Sequence, residues 1–161
     1  MAQRAIATGR CSSAIVAGTS LLLTPTYTIA MTEERALSPD GKCKTFDASA
    51  DGYARGEAIN AIYVKKLEDA IRDNDPIRGV IRGTSTNSDG KTTGLSTPSA
   101  EAQAELILKA NEQAGISDLS QTAYIEAHGT GTAVGDRTEA AGIAKVFGQR
   151  GIILGAVIFI F

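Results

Sequence analysis

The chain has 161 residues, 43% hydrophobic and 21% charged, with 16 basic against 18 acidic side chains. That is enough apolar material for one globular domain with a core, and a net charge of −2 gives no electrostatic case for nucleic acid or an anionic membrane as partner. Two cysteines, Cys11 and Cys43, lie far apart and outside any Cys-x-x-Cys pair, which argues against a disulfide framework and against a thiolate metal site.

Met1 to Thr8 reads as the tail of a helix stopped by Gly9, without the layout of a signal peptide. Ala14-Ile15-Val16-Ala17-Gly18 suits a buried strand. Thr24 to Gly52 is rich in turn formers, Ser38-Pro39-Asp40-Gly41 among them, so mostly irregular backbone is expected, with a short helix near Ile29 to Leu37. Ala58 to Leu67 alternates as a strand that runs out to solvent at Lys65-Lys66. Glu68 to Asp73 gives one or two helical turns, and Ile77 to Gly83 reads as another strand. Thr97 is the expected N-cap of a helix with Pro98 in its first turn; Ala102, Leu106, Ala110 and Ala114 repeat every four residues, and Gly115 ends it. Ala123-Tyr124-Ile125 is a short strand. A second helix is expected to start at Asp136, where Glu139 three residues on makes an acidic variant of a capping box. Ala140, Ile143, Ala144 and Phe147 form its buried stripe, and Gly148 closes it. The apolar run Ile152 to Phe161 is about half the length of a membrane-spanning helix and reads as a buried strand. Strand, helix, strand, helix, strand from Ile77 onward predicts a mainly parallel α/β sheet.

The stretch Glu126-Ala127-His128-Gly129-Thr130-Gly131-Thr132-Ala133-Val134-Gly135-Asp136 leaves a strand, passes through glycines and enters a helix. Ligands of open α/β sheets collect at such strand ends, and glycines let a substrate approach the backbone. His128 is the chain's one histidine, so any imidazole acid, base or oxyanion donor is this residue; the plainer reading is a histidine that caps a turn. The glycines do not make a nucleotide loop. Gly129-x-Gly131-x-x-x-Gly135 misses the dinucleotide fingerprint by one position, and Gly83 to Gly90-Lys91-Thr92 has six intervening residues where a phosphate loop needs four.

Three further stretches accompany it: Ser38-Pro39-Asp40-Gly41-Lys42-Cys43-Lys44-Thr45-Phe46, Asp47-Ala48-Ser49-Ala50-Asp51-Gly52-Tyr53-Ala54-Arg55-Gly56-Glu57, and Gly83-Thr84-Ser85-Thr86-Asn87-Ser88-Asp89-Gly90. Together, in this order, they resemble the ketosynthase (β-ketoacyl synthase) segment of polyketide synthases, most closely the fungal type I enzymes, from about Arg4 to Gly155. The resemblance implies part of a thiolase-like α/β fold. Residues 1–57 correspond to the end of the N-terminal half; residues 58–161 correspond to the last strand of that half and the start of a truncated C-terminal half.

The resemblance also implies a reaction. A cysteine takes an acyl group from a phosphopantetheine thioester, and a malonyl unit on acyl carrier protein loses carbon dioxide and attacks it, with histidines stabilising negative charge on thioester oxygens. His128 matches the first catalytic histidine, Thr130 and Thr132 match threonines that contact the pantetheine arm, and Glu139 matches a glutamate that pairs with a lysine further on; as a helix cap it has a plainer role as well. Asp51 and Arg55 read as residues that fix a loop. The nucleophile is not found in this chain. The family motif Asp-Thr-Ala-Cys-Ser-Ser opens a buried helix, whereas Cys11-Ser12-Ser13 follows Ala7-Thr8-Gly9-Arg10 and runs straight into a strand, so Cys11 is a decoy with nothing beside it to activate a thiolate. Cys43 resembles a loop cysteine. The family's lysine and second histidine would follow Val157, where Ile158-Phe159-Ile160-Phe161 stands instead, so the chain reads as an internal fragment, inactive alone. The expected partners are acyl carrier protein with its acyl and malonyl thioesters and a second copy in a homodimer. Metal, resident cofactor, nucleic acid and membrane are not expected, and the location is the cytoplasm. The competing readings are a shortened ketosynthase relative that only binds partners, and an unrelated nucleotide-binding α/β protein.

Overall fold

The computed structural model describes residues 1–94, 97–148 and 150–156, and the chain divides into two compact units. The first contains Met1–Leu23 and Gly56–Thr84; the second contains Thr24–Arg55 and everything from Ser85 onward.

In the first unit, helix α1 (Ala2–Ala7) is followed by β1 (Ser13–Ser20), which pairs antiparallel with β2 (Ala58–Lys65), Ser13 opposite Lys65 and Ser20 opposite Ala58. Helix α3 (Leu67–Arg72) follows β2. Lys65 at the end of β2 binds the carboxylates of Asp73 and, at 2.7 Å, Asp75, which clamps the strand end to the turn after the helix. The Arg72 guanidinium and the Lys65 ammonium draw the Asp73 carboxyl down to a pKa of about 2. β1 is largely exposed, contrary to the buried strand expected at Ala14–Gly18, because a two-stranded ribbon leaves both faces open. The strand expected at Ile77–Gly83 is absent: those residues have no regular secondary structure. Ile77, Val80 and Ile81 are spaced by three and one, which puts no consistent face inward, and no described strand offers them a ladder.

In the second unit, α2 (Thr26–Glu33) begins earlier than the helix expected near Ile29–Leu37, and it ends before Leu37 because Leu37 forms a parallel bridge with Tyr53. Its end is a Schellman motif: Ala36 N–H donates to Met31 O and Arg35 N–H to Thr32 O. Helix α4 (Ala100–Gln113) starts at Ser99 rather than Thr97; the Ser99 backbone is extended and its hydroxyl accepts the Ala102 N–H at 3.2 Å. A short 3₁₀ turn, Leu119–Gln121, leads into β3 (Tyr124–Ala127), then α5 (Gly135–Phe147) and β4 (Ile153–Ala156). β3 and β4 pair in parallel, Tyr124 with Ile153 and Ala127 with Ala156, as the strand–helix–strand order implies. The rest of the apolar run, 157–161, lies outside the described residues.

The core of this unit is Ala127, Ile143 and Phe147, with Ile107, Leu119, Ile125, Val146, Ile152 and Leu154 packed on it. Burying side chains of this size stabilises the fold by about 1.5–3 kcal/mol each. Ile143 and Phe147 belong to the expected stripe of α5, but Ala144 is exposed and Gly142 takes the inward place. Gly142 lets α4 come close: a Cβ there would stand 3.1 Å from the Ala100 carbonyl oxygen and from the Gln103 side chain. Lys145 of α5 also binds Glu101 of α4 and holds the Glu101 carboxyl below its usual range.

The ribbon generates a test. Ile15 (75% exposed), Ile59 (73%) and Tyr63 share one face, and Val16 and Ile62 share the other. Bare apolar faces of this kind associate. In sedimentation velocity, Ile15→Lys combined with Ile59→Lys should shift the isolated chain from large species toward monomer. An unchanged distribution would move the adhesive surface elsewhere.

Candidate functional site

The site is built where β3 ends. Ala127 is the last strand residue and is buried; the chain then loops through 128–134 into α5. Gly129 has φ 51° and Gly131 φ 77°, left-handed conformations that favour glycine. A Cβ on Gly129 would collide with the Ala156 Cβ and lie 2.6 Å from Thr45 Cγ2; one on Gly131 would lie 2.6 Å from the Lys44 nitrogen. The glycines therefore let the loop lie flat against β4 and against residues 44–45.

Two carboxylates from the first turns of α5 hold the loop. Glu139 Oε1 accepts the His128 N–H at 2.7 Å and Oε2 accepts the Gly129 N–H at 2.9 Å. Asp136, 5% exposed, accepts the Gly131 N–H at 3.0 Å on Oδ1 and the Phe46 N–H at 2.7 Å on Oδ2. The capping box expected at Asp136 and Glu139 is therefore replaced by a different arrangement. The helix begins at Gly135 with Val134 as an uncapped N-cap, and both carboxylates serve amides of neighbouring loops. Thr45 adds a hydroxyl bond to the Gly129 carbonyl (2.5 Å), and Gly52 N–H donates to the Gly131 carbonyl (3.0 Å).

The segment 36–55 forms the facing wall. Gly52 has φ 140°, and a Cβ there would stand 2.5 Å from the Leu37 carbonyl carbon and the Ser38 nitrogen, so only glycine fits. Lys44 binds Asp51 at 2.5 Å and Asp40 at 3.3 Å. The lysine holds the Asp51 carboxyl below the ordinary range, and Asp51 in return raises the Lys44 ammonium. The Ser38 hydroxyl, 2.6 Å away, leads the lowering at Asp40. Arg55 bonds the Thr28 hydroxyl at 2.6 Å and lies 4.8 Å over the Tyr27 ring. Asp51 and Arg55 thus fix the wall.

A cleft of about 650 Å³ opens between these parts. His128, Thr130, Thr132 and Glu139 all line it, so the structure gathers the four candidate residues in one place. The Thr130 and Thr132 hydroxyls lie 3.2 Å apart. Two further lining residues carried no sequence signal. Gln103 of α4 has a buried Oε1 without a hydrogen-bond partner; Arg35, at the end of α2, has φ 55°. Of the cysteines, Cys11 sits half-buried in the loop after α1, and the Cys43 sulfur accepts the Ala54 N–H at 3.0 Å. Among the described residues, no group of histidine, cysteine, aspartate and glutamate is arranged to hold a metal ion, and no helix is long and apolar enough to cross a membrane.

Asp136 is the first residue to test. Asp136→Ala leaves the Gly131 and Phe46 amides without an acceptor and should cost about 3 kcal/mol in urea unfolding. Asp136→Asn keeps one acceptor oxygen and should cost less. Amide exchange at Gly131 and Phe46 should quicken in the same order; unchanged exchange would remove Asp136 from this role.

The model for the β-ketoacyl synthase N-terminal domain matches residues 1–70, and that for the β-ketoacyl synthase C-terminal domain matches residues 78–157. The chain is 59% identical over 157 residues to a highly reducing polyketide synthase of Fusarium sp, a match covering 98% of this chain and 6% of that protein. It is 63% identical over 143 residues to one of Byssochlamys spectabilis, covering 89% of this chain and again 6% of the relative. Among solved structures, the ketosynthase from module 6 of the bacillaene synthase of Bacillus subtilis 168 (C167S mutant) superposes with a TM-score of 0.91 at 40% identity, over 97% of this chain and 28% of that one. The oxazolomycin ketosynthase domain of Streptomyces albus JA3453 gives 0.90 at 34% identity, over 96% and 27%. The chain therefore spans about a sixteenth of the length of these synthases and just over a quarter of these ketosynthase structures. With both family models matched in order and its fold shared with these domains, the chain belongs to the β-ketoacyl synthase family, as part of a thiolase-like ketosynthase domain of a fungal polyketide synthase.

Proposed function

We propose that the chain serves the decarboxylative Claisen condensation of a polyketide synthase ketosynthase. In that reaction the bond from the malonyl α-carbon to its carboxylate breaks and carbon dioxide leaves. The electron pair passes into a thioester enolate, whose carbon attacks an acyl group held on a cysteine; the new C–C bond forms as the cysteine thiolate departs. The observation that carries this reading is the convergence of His128, Thr130, Thr132 and Glu139 on one cleft at the end of β3.

His128 donates an imidazole N–H to the thioester oxygen as negative charge develops there. Glu139 acts as a positioning residue, since both its oxygens hold the backbone amides that orient His128. Thr130 and Thr132 offer hydroxyls to the amides of the pantetheine arm, for which the open cleft between α5 and the 36–55 wall is suited. Phosphopantetheine enters on acyl carrier protein as the substrate's carrier, and the working unit is a homodimer in the cytoplasm. The acyl-bearing cysteine is assigned to the remainder of the domain. Cys11 lies in the loop after α1 rather than at the start of a helix, and the Cys43 sulfur is engaged by Ala54.

The chain alone, mixed with acyl and malonyl carrier proteins, should form no 3-oxoacyl product; turnover that vanishes in Cys11→Ala would restore Cys11 as the nucleophile. In the intact domain, His128→Ala should slow malonyl decarboxylation by about 10²–10³-fold, the usual loss for one oxyanion donor. Decarboxylation at the normal rate in that variant would reduce His128 to a turn residue.

A further inference from the structure

Four helices of the described chain end in Schellman motifs, and the residue that takes the left-handed conformation is Gly9 after α1, Arg35 after α2, Asn74 after α3 and Gly115 after α4. Glycine and asparagine tolerate that conformation; an arginine gains nothing from it and is strained by it. A strained backbone at a site calls for a reason in the side chain. Arg35 has one available: it lines the cleft together with His128, Thr130 and Thr132. Its guanidinium forms no ion pair and no hydrogen bond among the described residues. The acidic residues of the cleft do not take it up. Glu139 is saturated by two backbone amides, Asp51 is held by Lys44, and Glu34, although adjacent in sequence, makes no pair with it. The strained turn thus sets at the cleft an arginine whose planar, five-donor guanidinium has no partner among the described residues.

We infer that Arg35 binds the phosphate of the phosphopantetheine arm, fixing the outer end of a substrate whose inner end lies at Thr130, Thr132 and His128. This rests on the reading of the cleft as the pantetheine site. Two anions travel on a malonyl-pantetheine thioester, the malonyl carboxylate and the phosphate. An ion pair to the carboxylate would stabilise the charge that decarboxylation must move onto the thioester oxygen, and so would oppose the reaction. A guanidinium serves the phosphate without that penalty, through a bidentate, charge-assisted pair.

The test is ligand-observed saturation-transfer NMR on the intact ketosynthase domain carrying this segment, titrated with 4′-phosphopantetheine and with pantetheine, which lacks the phosphate. The native domain should bind the phosphorylated probe roughly five- to tenfold more tightly. Arg35→Gln should erase that preference while leaving pantetheine affinity unchanged. Arg35→Gly should erase it too, and at the same time raise the unfolding midpoint by about 2–4 °C, because glycine relieves the turn. This separates a binding role from a structural one, in which stability and affinity would fall together. Equal binding of both probes by the native domain, or a preference that survives in Arg35→Gln, overturns the assignment of Arg35 and leaves the pantetheine site standing. Binding of neither probe overturns both.

Discussion

The arrangement at the end of β3 depends on one buried carboxylate. Asp136 stands in the first turn of α5 and accepts the amides of Gly131 and Phe46, one from the loop that carries His128 and one from the wall opposite it. A buried charge costs several kcal/mol unless its lone pairs are used, and here each oxygen has an amide donor. Phe46 itself has φ 55°, so the carboxylate also sustains a backbone conformation that a phenylalanine does not adopt freely. Glu139 repeats the device one turn later for His128 and Gly129. The helix is thus rooted in the loops by its acidic side chains, each of which satisfies two loop amides.

This scheme divides the work between residue types. Gly129, Gly131 and Gly52 supply closeness, since any side chain at these positions would strike backbone or a neighbouring side chain. The carboxylates supply direction. The ion cluster of Lys44 with Asp40 and Asp51 is more exposed and contributes little energy, but it sets the shape of the wall. A cleft built this way fixes the backbone that carries its hydroxyls and imidazole, while the two threonine hydroxyls bond each other rather than the protein's own backbone.

The backbone that carries the candidate site was more legible in the sequence than the contacts that hold it. The run from Tyr124 to Gly135 was legible because a strand, a glycine loop and a helix each have strong local signatures, and the parallel pairing of β3 with β4 follows from their order. Asp136 and Glu139 were legible as acidic residues in a first turn, yet their spacing suggested a local cap; what overrode it is a pair of loops, one of them distant in sequence, that supply needier amides. Ile77–Gly83 looked like a strand by composition, but strand formation is decided by a partner, which lies outside any local window. Gln103 is hidden in an amphipathic helix where glutamine is an unremarkable surface residue, and its buried, unpartnered oxygen emerges only from the packing of α4 on α5 at Gly142. Nothing in Glu34-Arg35-Ala36 announces a left-handed residue, because that conformation normally advertises itself through glycine or asparagine.

The bond between Phe46 and Asp136 spans 90 residues of chain. On a ribosome adding roughly 5–20 residues per second, the anchor arrives on the order of ten seconds after the loop it must hold. During that interval nothing holds Phe46 in its left-handed conformation and its amide is left to water, and the wall built from Lys44, Asp51 and Gly52 has nothing to lean against. The ribbon of β1 and β2 closes over a much shorter span and is available early, whereas the cleft is a late product of synthesis. The nascent chain therefore presents the future wall of the cleft as an open, protease- and chaperone-accessible loop until α5 emerges.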